Sequence, residues 1–191
     1  MEHSNDYVRS RHFKEREGDA VKIAVIGYSG SGKSTLAAAL ARKDQLPLLH
    51  LDCVHWLPGW VEQEPEREQQ LVKAFMDSHS DWVIDGNYRS LLQQRRLEEA
   101  DEIVFLGFNR VAAFFRAGHR ARVYAGRPRP SMTDGCEEKF DGEFIRWILW
   151  DSRTIDYRRR YEAVCRQYAG KVTVIKNQRQ LNAYYRAKGL R

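Results

Sequence analysis

Apolar and polar positions alternate along the chain in two registers. Short runs rich in β-branched and aromatic residues recur at 21–26, 46–51, 82–84, 103–106 and 172–175. Each is bounded by turn-forming or charged residues, and runs of that length predict buried strands. Between them lie longer stretches with spaced apolar positions, which predict helices over 34–42, 66–78, 91–99 and 111–123 and from 178 onward. Residues 143–168 contain no proline and predict one long helix, with Phe144, Ile148, Ile155, Tyr161 and Val164 as its buried stripe. Pro58, Gly59 and Trp60 mark a loop after the second strand, and the Pro/Gly-rich stretch 125–130 marks another. Strands that alternate with helices imply right-handed crossovers, and hence an α/β fold with helices on both faces of a parallel sheet. Residues 1–19 carry charge of both signs without an apolar period and predict a flexible N-terminal extension. Residues 20–191 then form one domain.

The segment joining the first strand to the first helix carries the chemistry. Gly27-Tyr28-Ser29-Gly30-Ser31-Gly32-Lys33-Ser34 satisfies the phosphate-binding pattern GxxxxGK[ST], in the required strand–loop–helix context. Glycines at 27, 30 and 32 let the backbone wrap a phosphate with its N–H groups pointing inward. The helix that follows offers unpaired N–H donors and the positive end of its dipole, so Ser29, Ser31 and Thr35 join the cofactor-binding set. Lys33 is the residue that reaches the β and γ phosphates, and the Ser34 hydroxyl is a magnesium ligand. ATP and Mg2+ are therefore the expected cofactors.

Composition sharpens the picture in one respect. The 32 basic and 26 acidic residues give a net charge of +6, and arginines outnumber lysines 23 to 9. From 103 to 133 there is no acidic residue, but six arginines and His119. Such a segment attracts anions, either nucleic acid or the phosphates of a small substrate. Three cysteines without a CxxC pair argue against a disulfide framework or a structural zinc site. No apolar run approaches the roughly 20 residues of a membrane helix, and the expected location is the cytoplasm.

Two absences narrow the reaction. The third strand reads Trp82-Val83-Ile84-Asp85-Gly86, with no second acid beside Asp85 to polarise a water. Lys176-Asn177-Gln178 does not supply a guanine-reading NKxD. Both favour transfer to a substrate over hydrolysis.

The Asp-Gly after the third strand, with Arg89 three residues beyond Gly86, resembles the nucleoside-monophosphate kinase pattern. Three further stretches resemble the bacterial topology-modulation (FlaR-like) protein family, whose members are adenylate-kinase-like P-loop proteins. These are Leu51-Asp52-Cys53-Val54-His55-Trp56 with Gly59-Trp60, then Trp82 to Tyr88, and Gly135-Cys136-Glu137-Glu138-Lys139. The resemblance implies a P-loop kinase fold with a five-stranded parallel sheet in the order 2-3-1-4-5 and an arginine-rich lid over about 110–141. It also implies a small-molecule kinase, although the family is named for an effect on DNA topology. Arg116 and Arg120 match the arginines at the base of the lid, and Arg127 lies in its loop. An i, i+4 pair shares one helix face, so two guanidiniums there can grip a triphosphate and neutralise the charge on the transferring group.

The remaining candidates keep two readings each. Asp52, at the carboxyl end of the second strand, can take a proton from a substrate hydroxyl, hold a magnesium-bound water, or cap a turn. Asp85 has the same range and is assigned to the metal by analogy with nucleotide kinases. His55, Trp56, Trp60 and Tyr88 either wall a pocket for a ring or pack in the core. Arg89 holds an anionic acceptor or forms a salt bridge. The sequence thus predicts an ATP- and Mg2+-dependent phosphotransferase acting on a nucleotide, nucleoside or other small hydroxylated acceptor, with the acceptor between Asp52 and Arg89. The alternative is an ATP-binding regulator of DNA topology. No zinc-finger, basic-zipper or RNP motif supports nucleic-acid binding.

Overall fold

The computed structural model describes residues 21–127 and 129–190, so the expected extension over 1–19 lies outside the described residues. The chain opens with β1 (Lys22–Gly27), α1 (Lys33–Asp44), β2 (Leu48–His50) and the short α2 (Leu51–His55). A small hairpin of β3 (Trp56–Leu57) and β4 (Val61–Glu62) leads to α3 (Pro65–Ser78), β5 (Trp82–Asp85), α4 (Gln93–Glu99) and β6 (Glu102–Leu106). Then come α5 (Arg110–Val123), α6 (Gly142–Leu149), a 3-10 turn (Asp151–Arg153), α7 (Ile155–Gln167), β7 (Val172–Ile175) and α8 (Gln178–Ala187).

The main sheet is parallel throughout, in the order β2-β5-β1-β6-β7. Counting only its own strands, that is the expected 2-3-1-4-5. Both faces are covered, which is why its strands are apolar at successive positions and not only at alternate ones. Ala24 and Ile26 of β1 face a core shared with Leu51, Val72, Met76 and Leu97, under α2, α3 and α4. Ile23 and Val25 face the other core, built from Leu36 and Leu40 of α1 and Leu181 and Tyr184 of α8.

Three expectations about local structure are corrected. The second strand stops at His50, and Leu51 turns into α2, where it is fully buried beneath Gly86. Asp52 therefore sits in the first turn of a short helix and not on a strand end. The loop expected at 58–60 is the turn of the β3–β4 hairpin, with Gly59 and Trp60 both at positive φ. The single helix expected over 143–168 is broken at Trp150. There Arg153 turns inward, donates to the Phe108 carbonyl at 2.7 Å and lies 3.6 Å over the Tyr28 ring. Thr154 then caps α7 by accepting from the Tyr157 N–H. The break leaves Ile155 exposed, whereas Ile148 is fully buried.

The phosphate loop starts at the sheet's centre and is tied down at its first residue. Gly27 has φ 145°, and a Cβ there would lie 2.4 Å from the Leu106 carbonyl oxygen, so only glycine fits. The Asn87 side chain accepts from the Gly27 N–H at 3.0 Å and donates back to the Gly27 carbonyl. This double clasp joins the end of β5 to the end of β1. Asn87→Ala would leave both Gly27 groups without that partner, and we expect it to lower unfolding free energy by about 1–3 kcal/mol. Urea denaturation checks this; an unchanged midpoint would show that the clasp carries no weight.

Candidate active site

The carboxyl ends of β1, β2 and β5 open onto a cleft of about 2040 Å³. That exceeds the roughly 300–1,000 Å³ of a single-ligand pocket, so two reactants fit side by side. Its floor is the phosphate loop. Gly30 and Gly32 take positive φ, and a Cβ on Gly32 would lie 2.9 Å from the Arg116 guanidinium. Gly32 also accepts the first backbone bond of α1, from Leu36 at 3.1 Å, so the N–H groups of Lys33, Ser34 and Thr35 lie ahead of the helix's own ladder. Ser31 is different. Its N–H donates to the Tyr28 carbonyl at 3.2 Å, and its buried hydroxyl has no partner.

Lys33 is partly exposed to the cleft and rests its ammonium 3.3 Å from the Tyr28 carbonyl. Burial holds its proton affinity below the usual lysine range, and nearby Arg120 and Arg129 push the same way. The carboxylates of Asp52 and Asp85 oppose that shift. Donor-side cations and acceptor-side carboxylates are thus within electrostatic reach of one amine.

The arginines of the expected lid separate into distinct roles. Arg116 packs against the outside of the phosphate loop, donating to the Ser31 carbonyl at 2.7 Å and to Gln178 of α8. It also lies 4.3 Å over the Phe108 ring. Arg120 points into the cleft and is paired with Glu138, donating from Nε at 2.6 Å. Arg127 is exposed and is not part of the cleft lining. Its place is taken by Arg129, which the sequence analysis did not single out for catalysis and which is buried in the cleft wall.

Beside the β3–β4 hairpin, Asp52 is 38% exposed and accepts from the Tyr88 hydroxyl at 3.0 Å. Burial, reinforced by that carboxylate, pushes the Tyr88 hydroxyl well above its ordinary range, so it remains a donor. His55 lies 4.5 Å from the Tyr88 ring and 4.6 Å from Trp56, and Trp56 meets Trp60 edge-on at 5.4 Å. His55 is itself fixed by the buried Glu68 through Nδ1. Arg89 is exposed on the cleft rim. The structure therefore gathers Asp52, Trp56, Tyr88 and Arg89 around one opening.

Asp85 is buried at the tip of β5, with one oxygen taken by Nδ1 of His50. The Ser34 hydroxyl lines the cleft, and it and the Asp85 carboxylate are the hard oxygens expected for a metal. Magnesium suits such a pair, because it takes few protein ligands and keeps most of its waters. Among the described residues no cluster of three metal-ligating His, Cys, Asp or Glu side chains occurs.

Sequence reasoning missed several contributors. Trp147 of α6 donates from its indole to the Ser29 hydroxyl at 3.0 Å, and Tyr161 of α7 reaches the Gly27 carbonyl at 3.4 Å. Both arrive from elements that follow the lid segment, and no local spacing could have signalled them. Arg96 is fully buried and braces the acceptor loop, donating to the carbonyls of Leu91 and Tyr88, each at 2.7 Å. Burial pushes its guanidinium down to about 10.

No family model matches the chain. The uncharacterized protein YqaC of Bacillus subtilis (strain 168) is 28% identical over 150 residues, covering 72% of this chain and 77% of that protein. Among solved structures, the shikimate kinase from Acinetobacter baumannii in complex with shikimate aligns with a TM-score of 0.53 at 13% identity. That alignment spans 88% of this chain and 90% of the other. A second shikimate kinase, from Bacteroides thetaiotaomicron, gives a TM-score of 0.48 at 19% identity over 87% of this chain and 95% of that one. The likeness to the Acinetobacter enzyme, together with the sheet order and the phosphate loop, establishes a P-loop kinase fold for this chain.

Proposed function

We propose that the chain is an ATP- and Mg2+-dependent phosphotransferase whose acceptor is a small hydroxylated molecule: a nucleotide, a nucleoside or a compound of similar size. One observation carries the reading. Lys33, at the foot of the phosphate loop, shares a single cleft with the cation Arg120 and the half-open carboxylate of Asp52. Motor, helicase and transporter ATPases usually carry a water-polarising glutamate beside this aspartate, Asp85, and Gly86 stands there instead. A fold shared with an enzyme solved in complex with the hydroxylated acid shikimate agrees with a hydroxyl acceptor. The resemblance to topology-modulation proteins agrees with a nucleotide-kinase-like reading but is not confirmed by the comparisons, so the reading of the reaction rests on the site.

In this reading ATP lays its phosphates along the N–H groups of Gly30 and Gly32 to Thr35, with Lys33 between the β and γ phosphates. Arg116 closes the nucleotide side, where it is already bonded to the loop backbone. Ser34 and Asp85 would hold the magnesium ion, which screens the phosphate charge when bound. The acceptor sits under Trp56 and Tyr88 with its hydroxyl toward Asp52, which takes the proton as the oxygen attacks the γ-phosphorus; the bond from that phosphorus to the β–γ bridging oxygen breaks, and ADP leaves with its electron pair. Tyr88 orients the carboxylate by donating to it. Arg89 offers a fork to an acceptor that carries a phosphate or carboxylate.

Lys33→Ala should lower transfer by about 100-fold or more while the urea midpoint stays unchanged, because the side chain faces the cleft and not the core. Asp52→Asn should suppress transfer and leave ATP affinity intact, since a neutral amide cannot take the proton. A screen of acceptors with γ-labelled ATP measures both; full activity in either variant refutes the assigned role.

The two arginines should differ. Arg116→Ala should chiefly raise the KM for ATP, because its contacts are to the loop that binds the ground state. Arg120→Ala should chiefly lower kcat, because it faces the transfer line. Steady-state kinetics in ATP distinguish these patterns, and identical effects of the two substitutions would contradict the division.

A further inference from the structure

Glu138 stands between two arginines in the wall of the cleft and is 5% exposed. Arg120 grips one of its oxygens along the Nε–Nη2 edge. Arg129 faces the other oxygen from Nη1 at 3.5 Å, and its Nη2 lies 3.7 Å from Asp52. The row therefore runs Arg120, Glu138, Arg129, Asp52, and from Asp52 on to the Tyr88 hydroxyl. It links the lid helix to the acceptor loop with charges of alternating sign.

The two guanidiniums are used very differently. Guanidinium–carboxylate hydrogen bonds normally close to about 2.7–2.9 Å. Arg120 reaches that range, which fixes one edge of its guanidinium and leaves Nη1 for another acceptor. Both Arg129 contacts are too long, and its buried Nε has no hydrogen-bond partner among the described residues. A buried cation with unspent donors is costly unless some acceptor uses them. Lys33, Arg120 and Arg129 line the same cleft, and both arginines lower the proton affinity of Lys33, so an anion entering there meets all three cations and can use the unspent donors.

We propose that Glu138 is a positioning residue that sets Arg120 and Arg129 as the two arms of one clamp on the phosphoryl group in transit from ATP. Arg129 is the arm that also reaches the acceptor-side carboxylate. The inference rests on the kinase reading above and goes beyond it, because Glu138 touches neither substrate. Its charge offsets the repulsion between two guanidiniums in an empty cleft. Its grip on Arg120 also means that little reorganisation is left to the moment of reaction. When the phosphoryl group arrives, the tight Arg120–Glu138 pair persists and the loose Arg129 contacts give way to phosphoryl oxygens.

The test reads γ-phosphate recognition, which needs no knowledge of the acceptor. Calorimetry on the full chain with Mg2+ compares ATP with ADP in four proteins: wild type, Glu138→Gln, Arg120→Ala with Arg129→Ala, and all three substitutions together. Glu138→Gln should weaken ATP by about 10-fold and ADP by less than about twofold. In the background lacking both arginines the same change should alter neither by more than about twofold, because nothing remains to be positioned. An equal loss for both nucleotides, an unchanged ATP-to-ADP ratio, or a full effect without the arginines would overturn the proposal. Should Glu138→Gln fail to fold, Glu138→Asp keeps the charge on a shorter arm and should give a smaller loss of ATP preference; an unchanged ratio there also overturns it. A wild-type chain that binds neither nucleotide removes the kinase reading and this inference together. Wild-type binding with unaffected Glu138 variants removes the inference alone.

Discussion

Everything in the site depends on gathering cations around a loop that has no room for side chains. Gly27 lies against the Leu106 carbonyl, and Gly30 and Gly32 turn through positive φ under α5. The N–H groups of Lys33, Ser34 and Thr35 precede the ladder of α1, and Lys33 shares the cleft with Arg116, Arg120 and Arg129. The cost of assembling like charges is met by a few carboxylates. Glu138 answers Arg120 closely and Arg129 loosely, and Asp52 answers Arg129 at longer range still. The compensation is incomplete on the side where a triphosphate would lie. A cleft that leaves a lysine and two arginines partly uncompensated is built to take in an anion.

The sheet places this charge and the packing on both faces holds it still. β1 is central, with β5 on one side and β6 on the other, so the loop that follows it is braced by both neighbours. Asn87 ties it to β5, Leu106 backs it from β6, and Tyr161 and Trp147 reach it from helices much later in the chain. The loop after β5 is held by Arg96, whose guanidinium bonds to the backbone carbonyls of Leu91 and Tyr88. On the far side, the hairpin that carries Trp56 and Trp60 is pinned by the segment after α5. Gly59 donates to the Gly135 carbonyl, Thr133 donates to the Trp56 carbonyl, and Cys136 donates to the Leu57 carbonyl. These bonds join the segment after α5 directly to the hairpin.

Much of this was legible in the sequence, for local reasons. The phosphate loop is a contiguous pattern, and the five strands are short apolar runs with clear punctuation, so the fold class follows directly, whereas the sheet order was implied by the family resemblance and not by the runs themselves. Long-range choices were not legible. Nothing in residues 143–168 announces that Arg153 prefers the Tyr28 ring and the Phe108 carbonyl to continuing a helix. Arg127 and Arg129 are two residues apart in one Pro/Gly-rich loop, and only the partners Glu138 and Asp52 select the second. Asp52 illustrates a near miss. It was expected on a strand end, it lies in the next short helix, and it still faces the cleft because Leu51 fills the core beneath Gly86.

The central claim is that ATP occupies this cleft with its γ-phosphate between Lys33 and the Arg120–Arg129 pair. A crystal structure of the full chain with Mg2+ and a non-hydrolysable ATP analogue tests it most directly. The expected result has the Lys33 ammonium released from the Tyr28 carbonyl and within about 3 Å of the β and γ phosphate oxygens, with Arg120 or Arg129 on the γ-phosphate. A triphosphate bound elsewhere, or Lys33 still resting on Tyr28 beside an ordered nucleotide, would contradict it.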